Sequence, residues 1–345
     1  MPSMTAVRWN PRVEGLRGFS ILLVFVYHLG NPGRHNWGAL GVGLFFIISG
    51  YVITGSLHRQ LSSNPKLKNK ILQFLKDFYI RRTRRLLPLA FLIILLTLSL
   101  SFFDSTSDKK QYILSSIFCL LYIGNLFGFT FGYTDLAPAL GHFWSLAVEE
   151  QFYFLWPIIF YFALKHIKKT FVSWITFVIL IIEISHPLIS FTGVSVWTLP
   201  STYFDLLLLG CALSLVNERL EGLCGGILKI IYLAGVCSLF FVVFGYKFSN
   251  LSFLSHFQYN FNFFFTGVLF IFCLRFNLFN NFLFRFFGKI SYSLYCIHVP
   301  LIIFCKDFLG WNNKLMLFVA VIAVALAALS HRYFEVRFYK PSLST

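Results

Sequence analysis

Eleven apolar windows follow one another along this chain, near 16–31, 37–57, 86–103, 111–131, 142–164, 171–190, 202–216, 227–246, 261–274, 290–305 and 315–330. Each approaches the roughly 20 residues that a helix needs to cross a bilayer, although some fall short. No long polar segment separates them, and only 12% of the residues are charged. That pattern excludes an ordinary water-soluble domain. The chain reads as an all-α polytopic membrane protein, with residues 1–345 used as a single membrane-embedded domain.

Charge placement sets the expected topology. The formal charge of +16 lies in short blocks between windows rather than along one amphipathic face, which argues against nucleic acid as a partner and for topology signals. The largest block, in 57–88, is expected on the cytoplasmic side, together with the N-terminus. Lys165, Lys168 and Lys169, then Arg275, Arg285 and Lys289, then Arg332, Arg337 and Lys340 fall on the same side only if 104–141 begins and ends outside. The expectation is therefore about ten crossings, both termini cytoplasmic, a re-entrant or interfacial segment near 111–131, and a short tail from about 331. Glu14 precedes the first apolar run and no small-x-small site follows it, so that helix is expected to stay rather than be cleaved. Cys119, Cys211, Cys224, Cys237, Cys273, Cys296 and Cys305 show no metal-ligand spacing and read as small apolar side chains. No metal is called for.

Ionisable groups within apolar runs cost roughly 2.5–3.5 kcal/mol each on insertion scales, so each is a functional candidate. In "EGLRGFSILLVFVYHL" (14–29), Arg17 and His28 share a helix face about 16 Å apart along the axis. Glu14 sits one turn before Arg17, where a structural ion pair is the plainer reading. "GHFWSLAVEEQFYFLWP" (141–157) aligns His142, Ser145, Glu149, Phe152 and Trp156 on one stripe. Glu150 points about 100° away, which favours Glu149 in a cavity and Glu150 bonded to a neighbouring helix. "FYIRRTRRLLP" (78–88) places Arg81, Arg82, Arg84 and Arg85 at the start of a window. They form either a positive-inside anchor or a polyphosphate site beside a helix N-terminus. "GKISYSLYCIHVPL" (288–301) spaces Tyr292, Tyr295 and His298 by three, lining a pocket or bonding between helices.

Together these segments resemble the acyltransferase-3 family of bacterial integral-membrane acyltransferases. The resemblance covers nearly the whole chain and rests on five ordered motifs. Arg17 and His28 match the family's Arg-x10-His pair, and Phe45, Phe46, Ser49 and Gly50 its second helix. Arg81, Arg82, Arg85 and Pro88 match its arginine motif. His142, Trp144, Ser145, Leu146, Glu149, Gln151, Phe152 and Tyr153 match its most recognisable signature, and "SYSLYCIHVP" its late Ser-Tyr…His-Pro motif. Tyr51 and Cys296 are small departures.

The resemblance implies transfer of an acyl group, most often acetyl from acetyl-CoA, to a sugar hydroxyl. The acceptor would be a cell-surface polysaccharide (O-antigen of lipopolysaccharide, capsule or exopolysaccharide) or its lipid-linked precursor, and the location the bacterial cytoplasmic (inner) membrane. It implies the stand-alone form, without an extracytoplasmic hydrolase-like domain. Acetyl-CoA enters as donor substrate and no cofactor is bound. On this expectation the Arg81, Arg82, Arg84 and Arg85 cluster holds the CoA phosphates, and Arg17 lines the path of the pantetheine arm. His28 deprotonates the acceptor or briefly carries the acyl group, and Glu149 orients it. Ser49, Tyr292 or a backbone N–H near Gly50 serves the thioester oxyanion. Glu14, His142, Ser145 and His298 support the acceptor pocket. A glycan or lipid transporter or flippase, with His28, Glu149 and Arg17 as a proton relay, is the alternative, and a purely structural membrane partner is a third.

Overall fold

A computed structural model describes residues 10–30, 37–129, 135–191, 203–217, 225–244, 257–310 and 313–339. Among them the chain is helical, with no strand. The helices are α1 (Pro11–Leu29), α2 (Trp37–Ser63), α3 (Ile71–Ser101), α4 (Lys109–Leu120), α5 (Phe143–His166), α6 (Phe171–Phe191), α7 (Phe204–Leu215), α8 (Gly225–Phe244), α9 (Gln258–Phe276), α10 (Phe282–Leu309) and α11 (Asn313–Ser330).

Five stretches among the described residues are both long and apolar enough to cross a membrane: α2, α3, α6, α10 and the run Lys314–Phe338. The sequence leads to about ten crossings, so half of that number meets both criteria. The five divide by what they bury. The most apolar stretches of α2 and α10 are 72% covered by protein, whereas those of α3, α6 and Lys314–Phe338 are only 28%, 17% and 22% covered. Leu180, Ile184, Leu188, Leu317, Phe318 and Val321 therefore point outward, which suits helices facing acyl chains. The segment near 111–131 is not one long helix. The 12 residues of α4 reach about 18 Å, short of the roughly 30 Å hydrocarbon core. A left-handed Tyr122 (φ 55°) and a 3₁₀ segment, Gly124–Phe129, follow. Residues 130–134 lie outside the described residues.

Two features differ from the sequence expectation. The arginine motif was expected to open a helix, but α3 starts ten residues before Arg81. Phe74 and Phe78 are buried, and nothing between them and Arg81 breaks a helix, so burial of those rings carries the helix start upstream of the apolar window. The motif thus sits in a helix interior, without an adjacent N-terminus. At the other end, the stretch from 331 continues as a π-helical turn, His331–Glu335, and one more turn, Val336–Tyr339.

The chain divides into two compact units, Met1–Phe74 with Phe152–Gly288, and Leu75–Gln151 with Lys289–Thr345. In the first, α2 crosses α7 at a pair of glycines. A Cβ on Gly50 would meet the Leu207 carbonyl, and a Cβ on Gly210 would lie 2.9 Å from the Ile47 carbonyl carbon. Only a missing side chain at both positions lets the backbones come so near. The Cys211 thiol donates to the Gly50 carbonyl at 3.5 Å. The indole N–H of Trp156 donates to the Thr54 hydroxyl at 2.9 Å, and the Trp156 ring stacks on Phe152 and Phe171. At the start of α1, Pro11 follows Asn10, whose side chain accepts from the Arg12 amide. That is a helix start specified locally.

In the second unit an apolar cluster of Tyr112, Ala137, Ala139 and Phe304 is joined by hydrogen bonds from polar side chains. Gln151 donates to the Tyr122 carbonyl at 2.9 Å and to the Asn125 side chain at 2.8 Å. The Ala137 amide donates to Ser115 at 2.9 Å. The Ser293 hydroxyl donates to the Glu335 carboxylate. Each of these bonds satisfies a group that an apolar medium would otherwise penalise.

Candidate active site

In the first unit, Glu14, Arg17 and His28 lie on the continuous helix α1, as the spacing requires. Glu14 finds a cation in Arg285 of α10, Oε2 to Nε 3.5 Å, a residue that the sequence offered only as part of a topology block. His28 is half-buried near the end of α1, and its Nδ1 lies 2.8 Å from the Val24 carbonyl. A carbonyl only accepts, so Nδ1 carries the hydrogen, and in a neutral imidazole Nε2 then carries the lone pair. That is the atom able to take a proton or attack a thioester carbon. Ser49 is half-buried on α2, one residue before the glycine that admits α7.

In the second unit Arg82 of the arginine motif approaches the carboxylates of α5, with Nη2 4.0 Å from Glu149 and Nε 3.8 Å from Glu150. Arg81 and Arg84 are exposed and Arg85 is half-buried. Glu149 and Glu150, expected on different faces, thus share one guanidinium. Two carboxylates against one cation call for further positive charge, and the three neighbouring arginines on the same helix can supply it.

A second polar group gathers where α5 begins. Tyr295 donates to the His142 carbonyl at 2.8 Å, and its hydroxyl lies 2.6 Å from the Ser145 hydroxyl. The His142 ring lies 5.3 Å from both Tyr295 and His298. His298 is fully buried, and its Nδ1 is 2.9 Å from the carbonyls of Leu294 and Tyr295. Tyr292 donates to the Leu86 carbonyl of α3, a bond that ties α10 to α3. Tyr295 was the member of this stripe given least weight from sequence, yet it is the one joining His142 to Ser145.

The sequence reading passed over Glu183, His186 and Asp205, three ionisable residues in the apolar windows 171–190 and 202–216 that the structure places together. The signal was the same one that singled out His28.

The family model described as an acyltransferase domain matches residues 10–330. The O-acetyltransferase OatA of Staphylococcus aureus (strain NCTC 8325 / PS 47) is 28% identical over 97% of this chain and 58% of its own length. A putative O-acetyltransferase, SAS0844 of Staphylococcus aureus (strain MSSA476), is 29% identical over 98% of this chain and 58% of its own. The chain thus spans a little over half the length of these relatives. No solved structure matches it.

Proposed function

The chain belongs to the acyltransferase-3 family, and from that premise we propose that it transfers an acetyl group from acetyl-CoA to a sugar hydroxyl of a cell-surface polysaccharide or its lipid-linked precursor. The observation that carries the reading is the His28 bond to Val24. It fixes the tautomer whose Nε2 lone pair is basic and nucleophilic, in a half-buried position where water competes poorly.

Two courses fit that atom. As general base, Nε2 accepts the acceptor hydroxyl's proton while the oxygen attacks the thioester carbon; the C–S bond then breaks, and the proton passes to the departing thiolate, giving ester and free CoA. As acyl carrier, Nε2 attacks the thioester carbon and the C–S bond breaks, expelling the CoA thiolate; the acceptor oxygen then attacks the acyl carbon, the C–N bond to the imidazole breaks, and the hydroxyl proton passes to the thiolate, giving the same ester and free CoA. Arg17, on the same face of α1 and about 16 Å away by helix rise, offers positive charge along a path matched in length to a pantetheine arm.

Arg82 is held by Glu149 and Glu150 and serves to position the motif, while Arg81, Arg84 and Arg85 take the CoA phosphates. His142, Ser145, Tyr292 and His298, with Ser49 and Glu14, support the acceptor. The location that suits this chemistry is the bacterial cytoplasmic membrane, with the arginine motif toward the cytoplasm, where the thioester is made.

The test supplies the purified protein, reconstituted in bilayer discs, with acetyl-labelled acetyl-CoA and polysaccharide from the host surface. The expected product is labelled polysaccharide whose label mild alkali releases, as an O-ester requires. Absence of label, after donor chain length and acceptor have been varied, would overturn the proposal.

A further inference from the structure

A group of side chains in the first unit takes no part in the chemistry above. Glu183 and His186 lie one turn apart on α6, and Asp205 sits in the first turn of α7. One ligand atom from each lies within 4.8 Å of the others. Asn260 of α9 closes the group: its amide nitrogen donates to both the carboxylate and the backbone carbonyl of Glu183, each at 2.7 Å. His186 and Asp205 are 1% and 2% exposed.

Two carboxylates in an apolar setting need compensating charge. No Lys or Arg pairs with either one among the described residues, and residues 192–202, which link α6 to α7, contain none. The charge must come from bound protons or from a cation.

The acceptor atoms decide between them. Glu183 Oε1 lies 3.9 Å from His186 Nδ1, beyond hydrogen-bond reach. Glu183 and Asp205 stand close enough to share a proton between their carboxyls, but Glu183 Oε1 and Asn260 Oδ1 are buried and receive no hydrogen bond from any other donor. One proton satisfies one acceptor. A divalent ion draws in several at once and cancels both carboxylate charges, leaving a neutral site.

We propose that Glu183, His186 and Asp205, with the Asn260 carbonyl oxygen, bind a divalent first-row transition-metal ion. One imidazole with carboxylate and amide oxygens suits zinc or manganese. Ligand atoms around a tetrahedral zinc stand about 3.4 Å apart, given bonds of about 2.1 Å, so side-chain rotation of about 1 Å closes the present spacing. The ion would pin α6, α7 and α9 together. This reading is independent of acyl transfer.

The full-length protein in detergent is stripped with chelator and titrated with Zn²⁺, Mn²⁺ and Co²⁺. Metal content and the visible Co²⁺ spectrum are the readouts. Wild type is expected to bind about one ion per chain and to gain thermal stability in doing so. Asp205→Asn and His186→Gln should each weaken binding at least about tenfold, while His166→Gln, at the exposed end of α5, should not. Wild type that binds less than about a tenth of an ion per chain would overturn the proposal, and needs no variant to do so. Binding unchanged in both Asp205→Asn and His186→Gln would also overturn it.

Discussion

Replacing Gly210 by alanine puts two opposing effects in one experiment. Alanine is the better helix former by roughly 1 kcal/mol, so at an open position the change stabilises. At Gly210 the added Cβ would stand 2.8 Å from the Tyr51 amide nitrogen and 2.9 Å from the Ile47 carbonyl carbon, where non-bonded carbons normally stop at about 3.5–4.0 Å. The nearest obstacle is the backbone carbonyl oxygen of Ile47, so no rotamer change relieves it, and α2 and α7 must part by about 1 Å or more. Overpacking of this kind costs about 1–3 kcal/mol, occasionally more. With a backbone obstacle the cost falls in the upper part of that range and outweighs the propensity gain, so we expect a net loss of about 1–2 kcal/mol and a Tm lower by roughly 1–3 °C in detergent. Gly226, in the first turn of α8, has nothing within 4 Å of its Cβ position. Gly226→Ala should therefore leave Tm unchanged or raise it. Gly50→Ala strikes the same crossing from the other side. Once the helices have separated the second methyl costs less, so Gly50→Ala/Gly210→Ala should fall short of the sum of the singles. A Gly210→Ala protein that melts at or above wild type would refute the close approach of these helices.

Arg82→Gln leaves Glu149 and Glu150 without their cation. Breaking a buried pair costs about 3–5 kcal/mol, and discounting for side chains still 17–20% exposed leaves about 1–3 kcal/mol. Arg84→Gln, on an exposed site, should stay within about 0.5 kcal/mol; equal melting temperatures for the two would show that the pairing carries nothing. Tyr295→Phe removes the bonds to Ser145 and the His142 carbonyl and should cost about 1–3 kcal/mol, visible as a lower Tm with the helical circular-dichroism signal intact; an unchanged Tm would count against the network. Asp104 follows α3, and its carboxyl is held below the usual range by the Ser107 hydroxyl, then by the Thr106 amide and hydroxyl. A depressed carboxyl stabilises above its unfolded pKa of about 3.9, and that contribution fades as pH falls through the lower folded value. The protection of amides across 104–109, corrected for the intrinsic exchange rate, should therefore fall more steeply below pH ~4 in wild type than in Asp104→Asn, and parallel profiles would contradict the assignment.

The helical class and the placing of Arg17 and His28 on one helix were legible because each rests on local periodicity. The start of α3 was not. An apolar window reports where a helix meets lipid, whereas the helix itself begins where Phe74 and Phe78 find buried places, a matter of packing. Pairings were hidden for a related reason. Glu14 meets Arg285 across 271 residues, and Arg82 meets both Glu149 and Glu150, although spacing alone assigned the two glutamates to different faces. Long, flexible side chains converge on one charge from positions that a helical wheel separates. Glu183, His186 and Asp205 escaped notice because they are split between two apolar windows, and only the approach of α6 to α7 makes them a set.

The central claim is that His28 performs acyl transfer, and the direct measurement compares wild type with His28→Ala at equal membrane abundance. The readout is label passing from acetyl-CoA to surface polysaccharide. Loss of a base or acyl carrier should cut the rate by about 10²–10⁴-fold, with Tm little changed. A variant that still transfers label within about threefold of wild type, well inside that factor, would contradict the account.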